Sequence, residues 1–77
     1  MLDSKIKIFP NPTRDILHIQ TSEVKIEQVA LHRVNGQLIA EYFNVNQLPV
    51  ESLEAGIYLC KILTDKGLIT KKISVIR

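Results

Sequence analysis

The stretch LEAGIYLCKILTDKGLITKKISVI, residues 53–76, decides the fold. Within IYLCKIL, Ile57 and Leu59 oppose Tyr58, Cys60 and Ile62, so both faces begin apolar. A strand of that kind belongs in the middle of a sheet. DKG then predicts a three-residue hairpin loop with Gly67 in the left-handed position. Beyond it, Ile73 and Val75 alternate with Ser74, so a returning strand is expected to lay those two side chains into a core. The approach LEAGIY has the logic of a tyrosine corner. Leu53 plugs the core, Gly56 takes the special backbone geometry, and the Tyr58 hydroxyl turns back to the loop backbone.

The same alternation continues upstream in Ile6 and Ile8, Leu17 and Ile19, and Val29 and Leu31. It predicts strands near 5–9, 15–20, 26–34, 37–43, 57–64 and 68–76, with a short one around 44–50. Asn35-Gly36 sits between two of these runs and predicts a type I′ hairpin turn with both residues at positive φ. Helix is confined to one turn in ESLEA, residues 51–55. In PNP, Pro10 and Pro12 flank Asn11; each proline fixes its own φ and pushes the preceding residue to extended geometry. The segment reads as a rigid corner that drops out of any ladder. About seven short strands at such spacing predict an all-β, immunoglobulin-like antiparallel sandwich. The second cysteine and the core tryptophan of an antibody domain are absent.

A chain of 77 residues makes one small domain, which buries only roughly 60% of its unfolded surface. Cys60 is the single cysteine and His18 and His32 are the only histidines, so neither a disulfide nor a zinc spacing is expected, and no cofactor. A net charge of +2 without a basic stripe argues against nucleic acid. Met1 to Ser4 carry no apolar signal-peptide region. The short lead-in favours a domain cut from a longer chain over a free-standing cytosolic protein. Residues 1–4 are then an added start or linker remnant, and 5–77 the domain.

Candidate chemistry is sparse. Cys60 with His18 or His32 could form a thiol and base, but a central-strand cysteine is more often a buried hydrophobe. Both histidines are out of phase with their apolar neighbours. The carboxylates are scattered; Asp15 alone, after PTR, suggests an Asx turn. The glycines are isolated and form no phosphate loop. Lys71-Lys72 reads as protection against edge pairing. Enzyme is not the reading.

The blocks KIFPNPTRDILHI, VALHRVNGQLI, LEAGIYLCKI and TKKISVIR, in that order, resemble the C-terminal sorting domain of the type IX (Por) secretion system of Bacteroidetes. The resemblance runs from Lys5 to Arg77 and falls on Pro10, Asn11, Pro12, Gly36, Gly56, Tyr58, Lys71, Lys72, Ile73 and Val75. It implies a β-sandwich preceded by a secreted passenger and recognised by outer-membrane secretion machinery from the periplasmic side. It further implies removal by a surface sortase-like protease, with the passenger anchored at the cell surface or released. Two departures stand out: the segment from Phe43 to Leu53 is long and holds Pro49, and no cleavage region precedes the first strand. The rival is an immunoglobulin- or fibronectin-like spacer or adhesion module. A sugar-binding module ranks third, for want of an aromatic platform.

Overall fold

Alternating apolar and polar positions bury one face of each strand, and two such faces close on each other. The computed structural model describes residues 2–77. Within them a 3-10 turn, Leu2–Lys5, precedes seven strands: β1 Ile6–Phe9, β2 Ile16–Thr21, β3 Ile26–Arg33, β4 Leu38–Phe43, β5 Gln47–Pro49, β6 Gly56–Thr64 and β7 Gly67–Val75. They form two antiparallel sheets, ordered β1-β2-β5 and β4-β3-β6-β7. The fold is the expected β-sandwich. Ile6, Leu17, Ile19 and Leu48 from one sheet meet Val29, Leu31, Cys60, Ile62, Ile73 and Val75 from the other. Each fully buried Val, Leu or Ile contributes about 1.5–3 kcal/mol.

As its two-faced pattern predicts, β6 lies between β3 and β7. Tyr58, Cys60 and Ile62 point inward, whereas Ile57 is exposed. The corner before β6 also forms. Tyr58 Oη donates to the Glu54 carbonyl at 2.6 Å, and Leu53 packs against the core beside it.

Both hairpins depart from expectation. Between β3 and β4 the loop is Val34–Asn35–Gly36, because Arg33 N–H donates to the Gln37 carbonyl (2.8 Å) and Gly36 N–H to the Arg33 carbonyl (2.9 Å). Only Gly36, at φ +94°, is left-handed. Asn35 instead accepts the Gln37 N–H on its side-chain oxygen at 3.0 Å. This is a three-residue loop with a glycine bulge, not a type I′ turn. Between β6 and β7 the loop is two residues, Asp65 and Lys66, because Gly67 pairs with Thr64 inside the ladder. Buried Thr64 causes the shortening: its hydroxyl donates to the Gly67 carbonyl (2.8 Å) and accepts the Lys66 N–H (3.1 Å). Gly67 takes φ +134° rather than the left-handed helical value.

The short strand expected at 44–50 contracts to β5, Gln47–Pro49, paired with β2. ESLEA forms a tight turn, with Leu53 N–H donating to the Val50 carbonyl at 3.1 Å, and no helix. Asp15 engages through its main chain, whose carbonyl accepts the Val50 N–H at 2.7 Å, while its side chain stays exposed.

Burial pushes the Cys60 thiol from 9.0 up to about 12. Native Cys60 is therefore expected to react with thiol reagents only at the rate at which the sandwich opens. Rapid labelling under native conditions would contradict this placement. Because the folded thiol keeps its proton where the unfolded one loses it, stability falls as pH rises from about 9 toward 12. The slope is about 1.4 kcal/mol per pH unit. Urea melts of the parent and Cys60→Ala across that range should differ by that slope.

Tyr58 gives a second check. Tyr58→Phe should cost roughly 0.5–1.5 kcal/mol, through one lost hydrogen bond and a carbonyl left short of its partner. Tyr58→Ala should cost roughly 3 kcal/mol or more through the cavity. Equal, near-zero losses in urea melts would remove the corner from the stability of the domain.

Candidate recognition surface

An edge strand leaves every second residue's N–H and C=O without a sheet partner. β7 is such a strand, paired on one side with β6. Residues Gly67, Ile69, Lys71, Ile73 and Val75 stand opposite Thr64, Ile62, Cys60, Tyr58 and Gly56. The intervening residues Leu68, Thr70, Lys72 and Ser74 turn their main chain outward.

The segment after β1 takes up that edge. Asn11 Nδ2 donates to the Lys72 carbonyl at 3.1 Å, and Asn11 Oδ1 accepts the Ser74 N–H at 3.0 Å. The carboxamide thus stands where a peptide group of a neighbouring strand would stand. Two residues later the true main chain takes over. Thr13 N–H donates to the Ser74 carbonyl (2.9 Å) and Ile76 N–H to the Thr13 carbonyl (2.9 Å). This Thr13–Val75 bridge is parallel. PNP leaves the β1 ladder as expected, but the chain then joins the opposite sheet instead of staying outside any ladder. The Phe9-Pro10 and Asn11-Pro12 peptide bonds are both cis. Thr13 is buried and directs its hydroxyl to the Ile16 carbonyl at 3.2 Å.

Arg77 closes the arrangement. Its Nε donates to the Leu53 carbonyl at 3.0 Å, Nη1 to the Arg14 carbonyl at 2.5 Å, and Nη2 to the Val50 carbonyl at 2.6 Å. Nη2 also reaches the Leu53 carbonyl. One guanidinium therefore joins the residue after the Thr13 bridge to the loop that Tyr58 holds from inside. A fork of fixed N–H groups suits several carbonyls better than a single ammonium does.

The residues singled out in the sequence divide by location. Asn11, between Pro10 and Pro12, meets Lys72 and Ser74 directly. Ile73 and Val75 are buried, and their ladder partners are Tyr58 and Gly56. Lys71 and Lys72 sit on opposite faces of β7; Lys71 shares the face of Ile73 and stands opposite Cys60. Gly36 lies apart, in the β3–β4 loop at the far side of the sheet. Thr13 and Arg77 were not singled out. The only sequence signal for Thr13 was a β-branched residue directly after PNP, and an arginine at position 77 looks like any solvated charge.

Exposed His18 stacks on Phe9 with ring centroids 5.5 Å apart. His32 Nδ1 lies 3.2 Å from the Gly36 carbonyl. Neither histidine is thereby brought to Cys60. Among the described residues no His, Cys, Asp or Glu group assembles that could hold a metal ion.

The sequence matches the family described as Secretion system C-terminal sorting domain over residues 7–76. The chain belongs to that family. None of the curated proteins matches it significantly. The matched span takes in β7 and the Asn11–Thr13 segment that pairs with it, and stops one residue short of Arg77. As a type IX sorting domain, it is a signal for export to the outer membrane, the cell surface or beyond.

In this sorting domain, Asn11→Ala should cost about 1–2 kcal/mol, since two hydrogen bonds to β7 are lost. Urea melts read the cost, and hydrogen exchange at the Ser74 amide should speed up more than at Ile62. Arg77→Ala acts on the same C-terminal end of β7, by freeing the Arg14, Val50 and Leu53 carbonyls that tie the chain down just beyond it. The two losses should therefore fail to add, by about 0.5 kcal/mol or more. Simple additivity would mean that the two contacts hold β7 independently.

Proposed function

We propose that the domain acts as a folded export signal whose recognised feature is β7 together with the segment that clasps it. A passenger preceding the domain is carried from the periplasm across the outer membrane by the type IX machinery. A sortase-like surface protease then removes the signal, and the passenger is anchored at the surface or released. Family membership supports export; the convergence of Asn11, Lys72, Ile73 and Val75 on one strand edge supports this location for recognition. Residues 5–77 are proposed as the signal unit, with 1–4 a linker remnant.

The chemistry of such a signal is shape and main-chain presentation. Recognition is by protein–protein contact, in which an edge supplies direction and alternate side chains supply specificity. Lys72 marks the outer face of β7 with a positive charge and Lys71 the inner one. Charged residues on an edge also keep it from pairing with a second copy before capture. Gly56 and Tyr58 act indirectly, by fixing the strand beside which Ile73 and Val75 lie.

Fusing residues 5–77 to a periplasmic reporter in a type IX-competent host tests this reading. Lys72→Ala should leave the urea midpoint nearly unchanged while lowering export, and adding Lys71→Ala should lower export further, severalfold in all. Deleting Ile73 to Arg77 should abolish export and loosen the fold. Full export after that deletion would overturn the proposal and leave a spacer or adhesion module as the better reading.

A further inference from the structure

The edges of this sandwich are treated unequally. β7 is clasped by Asn11 and Thr13 and carries two lysines. β1 is four residues long and carries Lys7. β5 is three residues long and includes Pro49, which has no N–H to offer. β4, Leu38–Phe43, is six residues long and has none of these guards; its one irregularity is a bulge at Ile39, where Leu31 pairs with Ala40 and His32 with Leu38. Its sequence LIAEYF contains no lysine, proline or glycine, and Glu41 is the only charged residue between Arg33 and Glu51.

Hydrogen-bond phase fixes which groups β4 presents. Asn44 N–H donates to the Glu27 carbonyl at 3.2 Å. Alternation along the antiparallel pair then makes Val29–Tyr42 and Leu31–Ala40 the bonded pairs. The N–H and C=O of Glu41 and Phe43 consequently face away from β3. On the outer face, Leu38 and Phe43 flank Glu41 and are 46% and 64% exposed. Gln28 Nε2 holds one Glu41 oxygen at 2.5 Å, and no other side-chain contact among the described residues engages the carboxylate.

We propose that the β4 edge accepts an extended segment of a partner protein as an added antiparallel strand. The geometry selects its chemistry: a lysine or arginine opposite Glu41, with apolar residues two positions to either side to cover Leu38 and Phe43. Pairing β4 with a second copy in the register centred on Glu41 sets two carboxylates directly opposite, and like charges there are destabilising. The register that sets Glu41 opposite Phe43 of the other copy leaves each carboxylate without a cation across the new pair, which a lysine- or arginine-bearing partner supplies. The site lies at the edge of the sheet remote from β7, and the inference does not depend on the export reading.

The test titrates the 77-residue chain with the peptide Ac-Thr-Val-Thr-Lys-Thr-Val-Thr-NH2, followed by amide NMR shifts and hydrogen exchange. Shift changes and slowed exchange should centre on the Glu41 and Phe43 amides. The peptide with glutamate in place of lysine should bind about fivefold more weakly, and Glu41→Lys should reverse that order. A peptide N-methylated on the bonding edge should lose binding. Changes centred on β1, β5 or β7, or equal binding of the N-methylated peptide, would overturn the proposal. So would peptide-independent dimerisation that protects Glu41 and Phe43, because it assigns the edge to a second copy.

Discussion

Ser74 has both main-chain groups taken by residues from the other end of the sequence: Asn11 accepts its N–H and Thr13 donates to its carbonyl. The rest of the arrangement hangs on that residue. β1 and β2 belong to one sheet and β7 to the other, so the segment joining β1 to β2 is also what fastens the sheets along one side. The side chain of Asn11 is suited to this task because a carboxamide offers one donor and one acceptor in a plane, as a peptide group does. Aspartate would lack the donor for Lys72, and leucine would lack both.

Around this bond the loops arrange themselves in a consistent order. Tyr58 holds the 50–55 turn from within through the Glu54 carbonyl. Arg77 holds the same turn from outside through Leu53 and Val50, and also reaches Arg14 beside the clasp. A small sandwich has few buried contacts to spare. Here polar bonds to main-chain carbonyls supplement a thin apolar core, and among the described residues no buried side-chain nitrogen or oxygen lacks a partner.

Much of the fold was legible because alternation is a local property. The inward set Tyr58, Cys60, Ile62, Ile73 and Val75 follows from a period of two, and the tyrosine corner follows from LEAGIY. Hairpin details were not legible, because Thr64 and Asn35 each used a side chain to alter the turn that the glycine alone would select. The partners of PNP were hidden for a different reason. Asn11 and Ser74 are 63 positions apart, and no periodicity announces a contact of that separation. Order of motifs pointed to the family, and yet only the folded chain brings the first motif onto the last.

That separation has a kinetic side. Bringing residue 11 to residue 74 closes a loop of 63 positions, at an entropic cost of about 3–4 kcal/mol beyond the constant term. Contacts of such range are late events in small β proteins, because nearer pairings must first gather the chain. Hairpins β3–β4 and β6–β7 can form from local sequence; the clasp cannot. The complete β7 edge thus comes into being only when the sandwich is finished, and the feature we assign to recognition doubles as a report that folding is over.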